Sequence, residues 1–259
     1  MIRSPLGLRL DPSRPIREQI REAARLGAKG VVIDAIGELG PERLSETGRR
    51  ELRYLLRSLD LGLIALHLPT RRPFDTTDQI EDRLRRAEGA FAMAFELGSA
   101  LVLARVGGVP PDAESPARQT FVTALRALGR RADHRGVRLA IETGPDSGEV
   151  VRAFLDGLDE LGLAASIDPA ALIQNGNDPL VTTRSLGPWV AHAYAGDASS
   201  TVVSGIGRRS GRPSGGLDWE EYLGSLEEID YRGYLTVWPD PTGDPAADFE
   251  AVVARASGH

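Results

Sequence analysis

The sequence of 259 residues contains no cysteine, so disulfide bonds, thiol nucleophiles and thiolate metal ligands are excluded. It contains one lysine, Lys29, which lies just before a strand-like run, and all other basic residues are arginine. Schiff-base catalysis needs a lysine buried in the site and is therefore not expected. No unbroken apolar run reaches about 18 residues, and the first ten residues lack the apolar core of a signal peptide. We therefore expect a cytoplasmic protein with no membrane partner.

Positive charge is outweighed by negative charge. The chain carries 31 Lys and Arg against 37 Asp and Glu, a formal net charge of −6. A protein that binds the nucleic-acid backbone needs a clustered positive surface, so a nucleic-acid partner is not expected. The 41% hydrophobic and 26% charged residues are typical of a globular protein. The length fits one (β/α)8 barrel, and no boundary or solenoid repeat interrupts the chain, so we expect a single domain over residues 1–259.

The segment RLAIETG, residues 138–144, shows the pattern on which the chain is built. A short apolar run with strand character delivers Glu142 at its end, a Gly-Pro turn follows, and Ser147 is placed to cap the next helix. The same pattern recurs at 164–169, where AASIDP delivers Asp168. Such units are typical of parallel β/α folds, in which functional residues lie at the carboxyl ends of the strands.

Strand-like and helix-like segments alternate along the whole chain. The expected strands cover about 6–10, 30–34, 61–66, 100–106, 138–142, 164–167, 189–194 and 233–238. The expected long helices cover about 15–26, 46–58, 77–97, 115–134, 147–161, 218–229 and 244–256, with short helical segments near 169–173 and 179–185. Eightfold alternation favours an α/β fold of the (β/α)8 TIM-barrel type over an open doubly wound sheet.

Polar side chains stand at most of the predicted strand ends. They are Asp34, His67, Arg105, Glu142, Asp168, the group His192, Tyr194 and Asp197, and finally Trp238. Two carboxylates and an imidazole could hold a divalent metal ion. Asp168 could equally cap the helix that follows it, whereas glutamate is a poor cap and Ser147 is better placed for that task. Glu142 is therefore the candidate catalytic residue, and Glu142 with Asp168 are the candidate metal ligands.

The order of five motifs resembles the xylose isomerase-like TIM-barrel superfamily, in its sugar phosphate isomerase/epimerase group. The motifs are AIETG (140–144), SIDPAAL (166–172), HAYAGDA (192–198), SGGLDW (214–219) and YRGYLTVW (231–238). The resemblance covers essentially the whole chain. It implies a sugar or sugar phosphate ligand and one divalent metal ion (Mn, Mg or Zn). In the family, a Glu, an Asp, a His and a second Glu from strands five to eight hold that ion, and the two glutamates transfer protons.

The sequence keeps only part of this pattern. Glu142 matches the first glutamate and Asp168 matches the aspartate. Tyr194 stands where the ligand histidine belongs, with Asp197 matching a following acid, and Trp238 stands where the second glutamate belongs. A neutral tyrosine is a poor metal ligand, and an indole nitrogen is only a donor. The sequence therefore predicts an isomerase scaffold whose metal and base positions are partly lost.

The other strand-end side chains are candidate ligand-binding residues: His67, Arg105, His192, Tyr194, Asp197 and Trp238. His192 lies two residues before Tyr194, on the same face of its strand, and could replace the missing ligand only if the strand end is rearranged. Tyr194 and Trp238 could form an aromatic floor on which a sugar stacks, or they could fill the space of the lost metal site.

Three functions are open at this point. The one we favour is a protein that binds a sugar-like or polyol-like ligand without standard isomerase activity, with a weakly bound metal or none. The second is an active divalent-metal-dependent isomerase or epimerase that uses Glu142 and Asp168. The third, an endonuclease acting at apurinic sites, needs a histidine-rich metal cluster and is disfavoured by four histidines and an acidic composition. The oligomeric state is open, a homo-oligomer included.

Overall fold

The structure is a computed structural model that describes residues 4–196, 217–240 and 243–256, and its centre is a closed parallel barrel. The eight strands follow one another around the barrel in chain order, and β1 pairs with β8 to close it. The strands are β1 Leu6–Arg9, β2 Gly30–Asp34, β3 Gly62–Leu68, β4 Leu101–Ala104, β5 Arg138–Glu142, β6 Leu163–Ile167, β7 Val190–Ala195 and β8 Leu235–Val237. The prediction of a (β/α)8 TIM barrel is confirmed.

Nine α-helices lie within the described ranges. They are α1 Ile16–Arg25, α2 Glu46–Ser58, α3 Ile80–Leu97, α4 Pro116–His134, α5 Gly148–Leu158, α6 Pro169–Gln174, α7 Pro179–Leu186, α8 Trp219–Glu228 and α9 Pro245–Ala256. A serine caps each of α2, α4 and α5 by accepting a backbone hydrogen bond from three residues ahead, namely Ser45, Ser115 and Ser147. The cap predicted for Ser147 is confirmed. None of these helices is long and apolar enough to cross a bilayer.

Side chains along each strand point alternately outward and inward, and this divides the apolar core into two layers. Side chains such as Val31, Ile33 and Val102 face outward and join the buried layer between the barrel and its helices. Val32 and Leu103 belong to a smaller cluster of inward-facing side chains. The barrel interior is therefore filled by side chains and is a packed core, not a pore.

The strand ends decide which side chains reach the site. Strand β4 is shorter than predicted, so Arg105 is the first residue beyond it, and Trp238 is likewise the first residue after β8. Strand β3 is longer than predicted and includes His67. Because all eight strands are parallel, their carboxyl ends lie at one rim and bring these side chains together.

Candidate functional site

A cavity of about 900 Å³ opens at the carboxyl ends of the strands, where (β/α)8 barrels carry their sites. The side chains at strand ends that line it are Arg9, Asp34, His67, Arg105, Asp168 and Trp238. The loop after β1 and the segment after β8 form the rest of the wall near them. The volume suits a small-molecule ligand.

Carboxylates outnumber arginines in this wall. The carboxylate residues are Asp11, Glu22, Asp34, Asp168, Asp240 and Asp244, and the arginines are Arg9, Arg14 and Arg105. Each arginine contacts one of these carboxylates, at 3.0 Å for Arg9 with Asp34, 2.9 Å for Arg14 with Glu22 and 3.7 Å for Arg105 with Asp168. The described part of the cavity wall is therefore acidic.

Arg9, the last residue of β1, lies at the centre of the cluster and was not among the predicted site residues. It is 5% exposed, and its Nη1 donates to the Tyr194 hydroxyl at 2.8 Å while its Nη2 donates to Asp34 Oδ1 at 3.0 Å. Its guanidinium carbon lies 3.7 Å from the centroid of the Trp238 ring, a cation–π contact. The signal in the sequence was an arginine placed between Leu8 and Leu10 in an otherwise apolar run.

The charge of Arg9 is maintained by its surroundings. Burial by itself lowers the pKa of a guanidinium, but Tyr194, Asp34 and Glu142 raise the pKa of Arg9 above its ordinary value. Glu142 Oε1 lies 3.6 Å from Arg9 Nη1. The guanidinium is therefore a permanent positive charge at the bottom of the cavity.

Glu142 ends β5, as predicted, but its side chain is fully buried. Its Oε1 accepts a hydrogen bond from the Tyr194 hydroxyl at 2.9 Å. Its Oε2 has no hydrogen-bond partner among the described residues, although His67 Nε2 and Arg105 Nε both lie 3.4 Å away. Burial opposes ionisation, but His67, Arg9 and Arg105 hold the pKa of Glu142 well below its usual range. The carboxylate is therefore ionised, with Oε1 hydrogen-bonded to Tyr194 and Oε2 close to His67 and Arg105.

His67 lies between two carboxylates. Its Nδ1 is 3.2 Å from Asp34 Oδ1, and its Nε2 is 3.4 Å from Glu142 Oε2. Arg9 Nη2 also contacts Nδ1, at 2.8 Å. Burial and Arg9 lower the pKa of His67, but Glu142 and Asp34 outweigh them, so that the pKa is raised. Asp34 in turn is buried, which raises its pKa, but His67 and Arg9 bring the pKa of Asp34 below its ordinary value.

Asp168 has both of the roles that its sequence position left open. Its Oδ1 accepts from the Ala171 N–H at 3.1 Å and so caps α6, while its Oδ2 lies 3.7 Å from Arg105 Nη2 in the cavity wall. The backbone N–H of Asp168 donates to Thr143 Oγ1 at 3.0 Å. Burial raises the pKa of Asp168 to about 6, and the charge of Glu142 adds to this, whereas the Ala171 N–H and Arg105 oppose it.

Two of the predicted ligand-binding residues, His192 and Tyr194, are buried and do not line the cavity. His192 is completely buried, with Nδ1 2.8 Å from Ser166 Oγ and Nε2 2.9 Å from Thr236 Oγ1, and burial lowers its pKa to about 3. It lies inside the barrel and does not line the cavity. Tyr194 is 2% exposed and its hydroxyl is shared between two partners, so it supports the site from below and is not a floor for a ligand. Asp197 lies outside the described residues.

Tyr194 and Trp238 were expected to form an aromatic floor for a ligand, but arginine side chains lie against the Trp238 ring. The two rings are 5.4 Å apart and tilted by 38°. Arg9 covers the Trp238 ring, and the guanidinium of Arg105 lies 5.9 Å from the same ring. Trp238 remains part of the cavity wall, together with His67, Arg105 and Asp168.

The donor set does not fit a divalent metal ion. Within the described residues, no three His, Asp or Glu side chains form a group that could hold one. Guanidinium groups contact Glu142 and Asp168, the two carboxylates that match the metal ligands of the pattern. At the other two positions, Tyr194 offers a neutral hydroxyl that is already hydrogen-bonded and Trp238 offers no acceptor.

Comparisons with known proteins support the architecture. The family model described as xylose isomerase-like TIM barrel matches residues 20–254. A xylose isomerase domain protein from Planctomyces limnophilus superposes with a TM-score of 0.81 at 18% identity, over 98% of this chain and 96% of that one. A D-allulose 3-epimerase from Methylomonas sp., solved with D-allulose, gives 0.74 at 18% identity, over 98% and 97%. A 3-keto-D-glucoside 4-epimerase from E. coli gives 0.75 at 16% identity, over 97% and 98%.

At these identities, the likeness to solved structures shows the fold alone. No curated protein sequence matches the chain. The family model, however, spans most of its length, and the barrel closes as that family requires. The chain belongs to the xylose isomerase-like TIM-barrel family.

Proposed function

We propose that this protein binds an uncharged sugar or polyol at the mouth of its barrel, without a metal ion, and that it lacks the standard isomerase chemistry of its family. One observation carries the proposal. The cavity has room for a ligand, whereas Glu142, the candidate base, is fully buried beneath it and engaged with Tyr194, His67 and Arg105.

The cavity wall supports recognition of hydroxyl groups. Arg105 has 45% of its side chain exposed and offers donors. Asp168 is an acceptor when it is ionised, above its pKa of about 6, and can also donate when it is protonated, below that pKa. Thr70, beside Arg105, and His67 add polar groups to the same wall. Alternating donors and acceptors around a small cavity are what a polyhydroxylated ligand needs. Structural neighbours that include an epimerase solved with D-allulose support the choice of ligand class.

The charge of the wall favours an uncharged sugar over a sugar phosphate. Each of the three arginines that line the cavity already contacts a carboxylate, and three further carboxylate residues line it as well. A phosphate group brings two negative charges into this acidic surface, and recognition of phosphate normally depends on arginines arranged to hold it.

The electrostatics of the cluster argue against the metal-dependent alternative. A divalent ion about 4 Å from a guanidinium is repelled by roughly 8 kcal/mol at an effective dielectric constant of about 20. Arg9 contacts Glu142, Tyr194 and Trp238, so an ion between those residues would meet this repulsion. The low pKa of Glu142 further makes it a weak base for removing a proton from carbon.

Ligand binding is tested by thermal unfolding and calorimetry with D-allulose, D-fructose, D-tagatose and a pentitol. We expect at least one of them to stabilise the protein equally in EDTA and in Mn²⁺. Arg105→Ala should weaken that binding at least about tenfold, the loss of roughly one charge-assisted hydrogen bond. Arg85→Ala is the matched control, because Arg85 pairs with Asp82 on the surface of α3. If no sugar or polyol binds, the proposal fails.

Catalysis is tested by following exchange of carbon-bound hydrogen in ²H₂O with the same sugars. We expect no exchange in EDTA or in Mn²⁺. Mn²⁺-dependent exchange that disappears in Glu142→Gln would restore the metal-dependent isomerase in place of this proposal. Tighter binding of a sugar phosphate than of its parent sugar would contradict the assignment of an uncharged ligand.

A further inference from the structure

One side chain, Arg9, connects β1 to five other strand ends. Its guanidinium contacts a side chain from each of β2, β3, β5 and β7, and the first side chain after β8. These are Asp34, His67, Glu142, Tyr194 and Trp238. Strands on opposite sides of the barrel meet at this group, so the guanidinium lies near the barrel axis. With 5% of its surface exposed, Arg9 lies at the bottom of the cavity and does not project into solvent.

The guanidinium of Arg9 lies among the residues that stand at the metal-ligand positions of the family pattern. Glu142, Tyr194 and Trp238 stand where the resemblance places two glutamate ligands and a histidine ligand, and the guanidinium touches all three. We propose that Arg9 is a built-in cation that replaces the metal ion of this barrel: it neutralises the buried carboxylates, joins the strand ends and excludes divalent ions. This inference does not depend on which ligand the cavity binds.

The chemistry of the contacting groups fits a guanidinium better than an ion. An indole has no lone pair for a metal, but its face attracts a guanidinium, and the ring of Trp238 lies 3.7 Å from Arg9. A phenol hydroxyl can accept from a guanidinium and donate to a carboxylate at the same time, as Tyr194 does between Arg9 and Glu142. The side chains that make a poor metal site are therefore good partners for Arg9.

Arg9 is the cationic partner of two buried carboxylates. Its Nη2 lies 3.0 Å from Asp34 Oδ1, and its Nη1 lies 3.6 Å from Glu142 Oε1. Buried charges persist only when they are paired and hydrogen-bonded. Removing Arg9 leaves Asp34, Glu142 and His67 without their cation, and these side chains supply the oxygen and imidazole donors that a divalent ion prefers once they rearrange around it.

The decisive experiment is metal binding by wild type and Arg9→Ala, without sugar. Wild type should hold far less than one Mn²⁺ per chain, and its Tm should be the same in Mn²⁺ and in EDTA. Arg9→Ala should lower the Tm in EDTA by about 10 °C, because it leaves buried carboxylates unpaired. Mn²⁺ at about 100 times its Kd should then raise the Tm of Arg9→Ala by about 5–10 °C. If Arg9 were purely structural, Arg9→Ala would lower the Tm, but Mn²⁺ would not raise it again.

Two further variants keep the test decisive if Arg9→Ala does not fold. Arg9→Lys keeps a positive charge and should bind no Mn²⁺, although its Tm should fall because lysine lacks the planar donor pair. Arg14→Ala, at a cavity arginine paired with Glu22, should leave both the Tm and the absence of metal binding unchanged. Stoichiometric Mn²⁺ on wild type or on Arg9→Lys would overturn the proposal, and so would a folded Arg9→Ala that ignores Mn²⁺. Since no sugar is present, a failure of sugar binding would not affect these outcomes.

Discussion

The burial of Asp168 predicts a specific pH dependence of the free energy of unfolding. The side chain is buried and caps α6 through Ala171, and burial together with the charge of Glu142 raises its pKa to about 6 from an ordinary value of 3.8. The change to test is Asp168→Asn. Asparagine is as good a helix cap as aspartate, so the substitution removes the ionisation while it keeps the hydrogen bond to the Ala171 N–H.

The direction of the effect follows from proton binding. Between pH 3.8 and about 6, the folded protein holds a proton on Asp168 that the unfolded chain has already released. Stability from this group is therefore present in acid and is lost as the pH rises through the folded pKa. At about 1.4 kcal/mol for each pH unit, the full loss is about 3 kcal/mol, of which about 2 kcal/mol falls between pH 4.5 and 7. Asp168→Asn should not lose this stability as the pH rises, because asparagine does not ionise.

The assay is urea denaturation followed by tryptophan fluorescence at several values between pH 4.5 and 7. The free energy of unfolding of Asp168→Asn minus that of wild type should increase by about 2 kcal/mol across this range. Asp218→Asn, the same exchange at the cap of α8, measures the effect of capping alone. Parallel curves for Asp168→Asn and wild type would refute the reasoning, because they would mean that Asp168 releases its proton at the same pH in the folded and unfolded states.

Four other predictions concern the barrel interior and the helices packed around it. Tyr194→Phe should lower the free energy of unfolding in urea by about 1–3 kcal/mol, because it removes a hydroxyl that joins two buried charged groups. His192→Leu should remove a loss of about 2 kcal/mol between pH 7 and 5, since the folded pKa of about 3 makes protonation of the unfolded chain destabilising in that range. The pH dependence of the free energy of unfolding reports this change even when the variant is less stable than wild type at neutral pH. Gly162→Ala should cost about 3 kcal/mol or more by thermal unfolding, because its Cβ would lie 1.9 Å from the Gly129 carbonyl oxygen. Gly157→Ala, with nothing within 4 Å of the added atom, should instead stabilise α5 by about 0.5 kcal/mol.

The fold was predictable because its signals are local. Alternating apolar runs and helix caps such as Ser147 depend on neighbours within a few residues, and an eightfold repeat of such units has few ways to close. The strand ends were less predictable, since a strand ends where its pairing ends. Arg105 and Trp238 were therefore assigned to strands that stop one residue before them.

The candidate site was only partly predictable because its chemistry depends on contacts between distant strands. Glu142 and Asp168 could be found from their places after apolar runs. The engagement of Glu142 by Arg9 joins residues from β5 and β1, and nothing within either segment indicates it. His192 shows the opposite error, since period-two alternation placed it on the inward face but could not show that Ser166 and Thr236 enclose it there.

Under the proposed function, Glu142 acts as a counter-ion and not as a base. A guanidinium buried at the barrel axis needs negative partners, and Asp34 and Glu142 supply two carboxylates for the single charge of Arg9. His67 lies between those carboxylates, and they raise its pKa. A glutamate held in this way cannot leave its partners to remove a proton without exposing a buried cation. The proposed role as counter-ion accounts for a carboxylate that is ionised, buried and absent from the cavity wall.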